Sequence, residues 1–469
     1  MSPADPGPPD APVERMSSME AVMWVLDSDP RLASAFANLT ILDRAPDRDE
    51  LRTRMLAATA VVPRLRQKVV DGAPLSTPAW IDDTDFDIDH HLRWIHLGPN
   101  DLDSVVADLS SRPFDRSRPL WEFVVIDGLP DGAAAMVQRM DHTLTDGEGG
   151  IRLSVQFLDL ERHPERREPP APTARPGRSD RSGTTDSNTT DRADDPAPGL
   201  VDQATRGLRA AANVPSALFD MVRDSMRQVA TPGRRSSLWT ERSTERWFGR
   251  STINLEDAKS AAHQLGGSVN DLFVTGALQA AARIHSAADA PVDELRVAIP
   301  LSQRSSGTAG GNAFTPAMAL LPAGPMDVTE RFTRVHERLD RVKASRGSMG
   351  LEGPATVARL LPDSALVGIV GRSAGAIDFV CSNVRAAPFD LYIAGAHLEA
   401  NYPLGPLVNT AFNLTTMSYR GWLFLGLLVD RAAVADPDAL LSAVDDAYSE
   451  LLAAGGIGTR RTPDLSVTT

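Results

Sequence analysis

Apolar residues recur along several stretches of the chain at the spacing of one helix face. Residues 48–61 place Leu51, Met55 and Ala58 at i, i+4 and i+7, which predicts an amphipathic helix. The apolar stretch at residues 19–26 predicts a shorter helix nearer the start of the chain. Helices of this kind bury one face, so the first part of the chain is expected to pack them against another layer.

A second pattern has the properties of a β-hairpin. Residues 121–126 are rich in β-branched and aromatic types, and residues 134–140 form another apolar run of strand length. The Pro-Asp-Gly sequence at residues 130–132 lies between them and is a turn signal. The second strand of this predicted hairpin leads directly into residues 141–147, whose sequence is DHTLTDG. Polar groups at such a junction between a strand and the next segment can project into a cleft.

Composition shifts divide the chain. Residues 163–199 are crowded with Pro, Arg, Asp, Ser and Thr, and such a segment cannot bury enough apolar area to offset its ordering entropy. Six segments are therefore predicted: a disordered tail (1–15), an N-terminal domain (16–162), a disordered linker (163–199), a helical bridge (200–238), a C-terminal domain (239–454) and a disordered tail (455–469). A chain of 469 residues is long enough to form more than one hydrophobic core.

Charge and cysteine content narrow the function classes. The net charge of -14 argues against a nucleic-acid partner, because phosphate binding relies on clustered Lys and Arg. The one cysteine, Cys381, has no intramolecular partner, as is usual in a reducing compartment. The first fifteen residues lack the pattern of a signal peptide, and no apolar run reaches the ~18 residues of a membrane span. We therefore expect a cytoplasmic protein, with any membrane contact peripheral.

His142 is the candidate for chemistry within residues 141–147. An ordinary imidazole has a pKa near ~6.5, so its neutral ring can accept a hydroxyl proton and return it to a leaving group. Asp146 and Gly147 follow, and the glycine permits a tight backbone turn. By pattern alone, a histidine beside an aspartate is more often structural than catalytic, and Asp146 is as well suited to anchoring the loop.

A resemblance adds weight to the catalytic interpretation. Residues 141–147 resemble the HHxxxDG motif of the superfamily that contains chloramphenicol acetyltransferase-like enzymes and condensation domains. Further blocks resemble, in order, motifs of the bacterial wax ester synthase/diacylglycerol acyltransferase family: residues 119–121 (PLW), 270–271 (ND), 382–384 (SNV), 392–396 (YIAGA) and 402–406 (YPLGP). The resemblance covers nearly the whole chain apart from the tails and linker.

The resemblance implies an α/β fold of two chloramphenicol acetyltransferase-like domains, with mixed sheets flanked by helices and a tunnel between the domains. It also implies that His142 is the general base, which deprotonates an alcohol for direct attack on a thioester. No acyl-enzyme intermediate would form, so Cys381 is not expected to be a nucleophile. Asp146 would hold the loop by an ion pair, and Arg304 is the candidate partner.

One residue departs from the motif: Asp141 stands where the family usually has its first histidine. Adjacent residues of an extended segment face opposite sides, so Asp141 is expected to face into the protein and serve the scaffold. The alternative is that its carboxylate orients the His142 ring. Asn270 and Asp271 follow Ser268 at the start of an apolar helical run, so capping and support of the site are both open. Ser382 and Asn383 follow a predicted strand and are expected to line the cleft.

These features together predict an O-acyltransferase that moves a long-chain acyl group from acyl-CoA to a diacylglycerol or long-chain alcohol. The alternatives are another acceptor, a carrier-protein donor, or a lipid-binding homologue without turnover. The expected partners are acyl-CoA and a lipophilic alcohol, with no nucleic acid and with the oligomeric state left open. No cofactor or metal is expected, because coenzyme A would enter as part of the substrate. Peripheral contact with a membrane or lipid droplet would be compatible with such substrates.

Overall fold

The computed structural model describes residues 14–72, 76–98, 101–144, 153–164, 236–302, 314–345 and 362–458. The elements before residue 145 are β1 (Glu14–Arg15), α1 (Ser18–Leu26), β2 (Phe36–Leu42), α2 (Arg48–Val61), β3 (Gln67–Val70), β4 (Ala79–Asp82), α3 (Ile88–His91), β5 (Leu92–His96), α4 (Leu102–Ser111), β6 (Trp121–Asp127) and β7 (Ala134–Met140). Those after residue 235 are β8 (Arg246–Asn254), α5 (Leu255–Gln264), α6 (Val269–Ala287), β9 (Glu294–Ser302), β10 (Phe314–Pro322), α7 (Val328–Ser345), α8 (Asp363–Ala374), β11 (Phe379–Arg385), β12 (Tyr392–Ile393), β13 (Ala396–Leu404), β14 (Phe412–Tyr419), β15 (Trp422–Asp430) and α9 (Pro437–Ala454).

The predicted helices near the start of the chain are confirmed. Helix α1 begins after Ser17, whose hydroxyl accepts the backbone N–H of Glu20 while the Glu20 carboxylate accepts the N–H of Ser17. This reciprocal arrangement satisfies two backbone donors that the first turn of a helix leaves free. Helix α2 begins after Asp47 and buries the predicted face of Leu51, Met55 and Ala58.

The N-terminal sheet has six strands in the order β12-β13-β2-β7-β6-β5. Strands β6 and β7 form the predicted antiparallel hairpin, with Trp121 opposite Met140. Its turn requires unusual backbone angles, since Asp131 has a φ of 56° and Gly132 a φ of 75°. Asp and Gly tolerate this left-handed region better than other residues do, which explains the turn signal in the sequence.

Two strands of this sheet come from far along the chain. Strand β13 pairs antiparallel with β2, with Asn401 opposite Thr40. The predicted domains were each continuous in sequence, and residues 392–404 fell in the C-terminal domain. In the structure these residues join the N-terminal sheet. A Cβ on Gly426 of β15 would collide with the carbonyl oxygen of Pro403, so only glycine allows β13 to lie this close to the C-terminal sheet.

The C-terminal sheet also has six strands, in the order β10-β9-β11-β14-β15-β8. Strand β11 runs parallel to β9 and β14, and the remaining neighbours are antiparallel. The apolar face of this sheet and helices α5, α6, α7 and α9 form one core. A second core lies in the N-terminal half and also includes Tyr419 and Phe424 from the C-terminal sheet. The two halves therefore share buried side chains.

The predicted linker and helical bridge lie almost wholly outside the described residues. Among the helices that the structure describes, each is too short or too polar to cross a bilayer.

Candidate active site

His142 lies in a turn at the end of β7. The backbone N–H of Leu144 donates to the carbonyl oxygen of Asp141 at 3.1 Å, which closes a four-residue turn around His142 and Thr143. Phe36, the first residue of β2, is opposite Met140 in the sheet and packs against the imidazole. The ring centroids of Phe36 and His142 are 4.7 Å apart at an interplanar angle of 44°. The imidazole is half-buried, so part of its surface stays accessible.

Asp141 faces into the protein, as predicted from the alternation of an extended segment. Its side chain is buried, and its carboxylate accepts the backbone N–H of Thr143 at 2.9 Å and the Thr143 hydroxyl at 2.6 Å. These bonds stabilise the turn that carries His142. Asp141 therefore acts on the backbone of the turn, and the structure favours the scaffold role over orientation of the imidazole.

The carboxyl of Asp27 is close enough to that of Asp141 for the negative charge of Asp141 to act on it. Asp27 follows the last residue of α1, and its carboxylate accepts the backbone N–H of Ser34 at 2.7 Å and the Ser34 hydroxyl at 3.3 Å. Burial is the largest cause that raises the pKa of Asp27 well above its usual value, and the negative charge of Asp141 adds to it. No local sequence pattern indicates this interaction, because residues 27 and 141 lie far apart along the chain.

The rest of the motif lies outside the described residues. Asp146, Gly147 and Arg304 all fall there, so the proposed ion pair between Asp146 and Arg304 stays a prediction.

A cluster of uncharged polar side chains lies on the same face of the N-terminal sheet as Phe36. Asn38 and Thr40 share this face by alternation along β2, and Gln138 and Asn401 lie on the two neighbouring strands. The Thr40 hydroxyl accepts the amides of Asn38 at 3.2 Å and Gln138 at 3.3 Å, and Asn38 also donates to Asn401. The alternation of polar residues in an otherwise apolar strand is the signal that sequence analysis missed.

Asn270 and Asp271 lie in the first turn of α6. The capping interpretation is confirmed for Asp271: its carboxylate accepts the backbone N–H of Ser268 at 2.8 Å, and the Ser268 hydroxyl accepts the N–H of Asp271 at 3.3 Å. The same carboxylate contacts the His336 ring at 2.9 Å. Asp271 therefore links the start of α6 to α7.

The structure brings two other predicted residues together. The amide of Asn383 on β11 donates to the side-chain oxygen of Asn270 at 3.5 Å, which joins β11 to the start of α6. Ser382, the preceding residue, is opposite Thr415 of β14. These residues belong to the C-terminal half, and their contribution to a site that includes His142 stays a prediction.

Two other histidines, His91 and His285, are buried and contribute to the packing of the fold. The ring of His91 is buried, stacks on Trp121 and contacts the Trp121 carbonyl oxygen at 2.8 Å. His285 is buried and lies 2.7 Å from the hydroxyl of Ser236. Burial lowers the pKa of both rings. The buried Ser236 hydroxyl also accepts the N–H of Trp239 at 3.1 Å, so this pair holds a chain segment and does not present a nucleophile.

Cys381 is fully buried in the core of the C-terminal half. Burial raises the pKa of its thiol far above the ordinary value, because a thiolate would be desolvated there. A neutral, inaccessible thiol is a poor nucleophile, in agreement with the prediction that no acyl-enzyme forms on Cys381.

Solved structures share this architecture. A wax ester synthase/diacylglycerol acyltransferase from Marinobacter aquaeolei VT8 matches with a TM-score of 0.64 at 20% identity, covering 95% of this chain and 100% of that chain. The starter condensation domain of rhizomide synthetase RzmA matches with a TM-score of 0.55 at 13% identity, covering 97% and 98%. The fold is thus the two-domain α/β fold of chloramphenicol acetyltransferase-like proteins, as the resemblance implied.

Sequence comparison gives the family. The model of the wax ester synthase/diacylglycerol acyltransferase catalytic domain matches residues 8–273, and that of the WS/DGAT C-terminal domain matches residues 310–452. A protein of Mycobacterium tuberculosis, named as a candidate diacylglycerol O-acyltransferase, is 33% identical over 465 residues, which cover 96% of this chain and 94% of that protein. The chain belongs to the wax ester synthase/diacylglycerol acyltransferase family and is an acyltransferase.

Proposed function

We propose that this acyltransferase moves a long-chain acyl group from acyl-CoA to the hydroxyl of a diacylglycerol or long-chain alcohol, with His142 as the general base. The observation that carries the proposal is the position of His142: a half-buried imidazole in the turn after β7, at the second motif position. The named M. tuberculosis relative supports diacylglycerol as the acceptor, and the Marinobacter protein supports a wax alcohol as the other choice.

The reaction balances with His142 as the only proton carrier. One ring nitrogen takes the proton of the acceptor hydroxyl while the hydroxyl oxygen attacks the thioester carbonyl carbon. The tetrahedral intermediate then collapses, the C–S bond breaks, and the imidazolium returns the proton to the leaving thiolate. The products are an ester and free coenzyme A, and no covalent enzyme intermediate forms.

The presence of Asp141 in place of the first motif histidine is compatible with this mechanism. The Asp141 carboxylate accepts the backbone N–H and the hydroxyl of Thr143, so it supports the turn that carries the imidazole. This arrangement favours an active enzyme over the alternative of a lipid-binding homologue without turnover.

Ester formation from palmitoyl-CoA, with dioleoylglycerol or hexadecanol as acceptor, tests the proposal on the purified full chain. We expect turnover in wild type, a loss of at least ~100-fold in His142→Ala, and no loss in the matched control His90→Ala, whose side chain is exposed. Turnover that survives His142→Ala would overturn the general-base role.

The same assay separates the alternatives. Activity with an acyl group on a phosphopantetheinylated carrier protein, but none with palmitoyl-CoA, would indicate a carrier-protein donor. Absence of turnover in wild type, with a gain in Asp141→His, would indicate a degenerate site.

We further propose peripheral contact with lipid surfaces through Leu160 and Phe389. Their side chains are 69% and 52% exposed, and the segments that carry them are joined by the backbone pairing of Asp159 with Tyr392. Exposed apolar side chains favour insertion into a lipid interface. The test measures the fraction of protein that floats with dioleoylphosphatidylcholine vesicles containing dioleoylglycerol. This fraction should be lower for the double variant Leu160→Ser/Phe389→Ser than for wild type, and unchanged for the control Val70→Ser. An equal fall in both would argue against this surface.

A further inference from the structure

Asn38, Thr40, Gln138 and Asn401 form a polar cluster that is held together around one buried hydroxyl. Thr40 is fully buried, and its hydroxyl accepts the amides of Asn38 and Gln138 and donates to the side-chain oxygen of Asn401 at 3.2 Å. The other three residues are half-buried, and every member of the polar cluster is uncharged. The polar cluster therefore presents fixed amide groups that suit a neutral ligand.

The amides of the polar cluster offer one acceptor and one donor group to such a ligand. Asn38 and Thr40 both donate to the side-chain oxygen of Asn401, which fixes this amide and directs its NH2 group away from them. The side-chain oxygen of Asn38 is buried and has no hydrogen-bond donor among the described residues. A buried carbonyl oxygen without a donor is unfavourable, so this atom is suited to accept a hydrogen bond from a ligand.

The polar cluster begins close to the imidazole of His142. Phe36 packs against that ring, with centroids 4.7 Å apart, and Asn38 and Thr40 follow on the same face of β2. A strand rises about 3.3 Å per residue, so Asn38 lies roughly 7 Å and Thr40 roughly 13 Å beyond Phe36 along the sheet. A substrate that reacts at His142 can therefore extend over the polar cluster.

The parts of the two substrates differ in the hydrogen-bonding groups that they offer. The hydrocarbon chains of an alcohol or an acyl group offer none. The ester groups of a diacylglycerol accept hydrogen bonds and donate none, so they would leave the Asn38 oxygen unsatisfied. The pantetheine arm of an acyl thioester is uncharged and has two amides, each with an N–H donor and a carbonyl acceptor. Each amide unit is at least as long as an extended residue, roughly 3.5 Å, so the arm can reach the polar cluster from a thioester at His142.

We propose that the polar cluster binds the pantetheine arm of the acyl donor. The Asn38 oxygen accepts an amide N–H of the arm, the Asn401 NH2 group donates to an amide carbonyl, and Thr40 positions both side chains. The proposal rests on the proposed function, because it takes the thioester to react at His142. Coenzyme A and a carrier protein both present this arm, so the polar cluster recognises chemistry that the two kinds of donor share.

Binding of S-dodecyl-pantetheine, a thioether that cannot transfer an acyl group, tests the site without turnover. Isothermal titration calorimetry on the full chain should give a Kd about tenfold higher for Asn38→Leu and for Asn401→Asp than for wild type, because each variant loses a hydrogen bond to the arm. Asn401→Asp keeps the shape of the side chain and the oxygen that accepts Asn38 and Thr40, so it tests the site even where Asn38→Leu fails to fold. The matched ligand S-dodecyl-mercaptoethanol has the chain without the amides, and its Kd should be the same in all three proteins.

Two buried threonines test the positioning role of the central hydroxyl. Thr40→Val keeps the size of the side chain and frees both amides, so the Kd of S-dodecyl-pantetheine should rise by about threefold to tenfold. In the matched control Thr59→Val, the lost hydroxyl donates to the Leu56 carbonyl oxygen within α2, and the Kd should be that of wild type. Equal Kd values for wild type, Asn38→Leu and Asn401→Asp would overturn the proposal, and so would an equal loss of affinity for S-dodecyl-mercaptoethanol.

Steady-state kinetics test whether the polar cluster serves the acyl donor or the acceptor. In Asn401→Asp the KM for palmitoyl-CoA should rise by about tenfold, whereas the KM for dioleoylglycerol should stay within about twofold of wild type. If wild type uses a palmitoyl group on a carrier protein instead, the same rise should appear in the KM for that conjugate. A rise in the KM for dioleoylglycerol alone would place the acceptor at the polar cluster and overturn the proposal.

The pantetheine site and the proposed function fail separately. If wild type forms no ester from either donor, the proposed function fails, and the Kd of S-dodecyl-pantetheine still decides the binding site. If ester formation depends on His142 but the Kd values are equal, only the pantetheine site fails.

Discussion

Phe36 and His142 are in ring contact, with centroids 4.7 Å apart, although 106 positions separate them along the sequence numbering. The contact follows from the pairing of β2 with β7, which places Phe36 opposite Met140, two residues before His142. The aromatic ring limits how far the imidazole can move away from the sheet end.

Truncating Phe36 should therefore reduce turnover without unfolding the protein. Aromatic ring pairs contribute about 0.5–1.5 kcal/mol, so Phe36→Leu should lower kcat by about threefold to tenfold. The measurement is ester formation at saturating palmitoyl-CoA. Phe86→Leu removes a ring that stacks on His91, away from His142, and serves as control. A kcat equal to wild type in Phe36→Leu would show that the imidazole is held by other contacts.

Gly426 should be intolerant of any side chain. In Gly426→Ala the new methyl group would meet the Pro403 carbonyl oxygen, a backbone atom that cannot move aside without displacing β13. Overpacking of this kind costs about 1–3 kcal/mol, and the midpoint of thermal unfolding should fall accordingly.

Gly368→Ala is the matched control for that substitution. Gly368 lies within α8, and a Cβ there would have only Arg372 at an ordinary contact distance of 3.7 Å. Alanine stabilises a helix more than glycine does, so Gly368→Ala should unfold at the wild-type temperature or slightly above it. Equal destabilisation of both variants would argue against the close approach of β13 to β15.

The ion pair of Arg250 with Asp103 joins β8 to α4, and thus the two halves of the molecule, at 2.7 Å. Burial raises the pKa of Asp103 despite the opposing charge of Arg250. The folded protein therefore binds a proton more tightly than the unfolded chain, whose aspartates titrate near ~3.9. Proton binding at Asp103 therefore stabilises the fold fully below the pKa of the unfolded chain. This stabilisation is lost as the pH rises through the higher pKa of the folded state.

Asp103→Asn should remove this part of the pH dependence. The unfolding midpoint, followed from pH 4 upward, should fall less steeply with pH in Asp103→Asn than in wild type. Asp108→Asn, an exposed aspartate of the same helix, should retain the wild-type slope. Parallel curves for wild type and Asp103→Asn would show that the buried carboxyl is ionised throughout.

Cys381 should be dispensable for turnover. Its buried, neutral thiol should not react with 5,5'-dithiobis(2-nitrobenzoic acid) until the protein is denatured, because burial raises the thiol pKa. Cys381→Ala should keep wild-type kcat and lose about 1 kcal/mol of stability from the small cavity. Loss of turnover in a folded Cys381→Ala protein would contradict direct transfer of the acyl group.

The sequence by itself determined the features that depend on neighbouring residues. The helix at residues 48–61, the hairpin of β6 and β7, and the capping of α6 by Ser268 all follow from spacing, turn residues and caps within a few positions. The burial of Asp141 was also predicted, although alternation is not its cause, since Asp141 begins a turn and Arg139 and Met140 before it are buried as well. The family motif also made His142 the candidate for proton transfer, which stays a prediction.

Tertiary structure decided the features that join distant parts of the chain. Strand β13 pairs with β2, and the charge of Asp141 acts on Asp27. The cluster of uncharged polar residues collects side chains from three strands: Asn38, Thr40, Gln138 and Asn401. Local patterns fix the period of an element and the face it buries, but not its partner. Partner choice depends on the total area that two sheets bury together and on which polar groups satisfy one another, and both quantities exist only after the chain has folded.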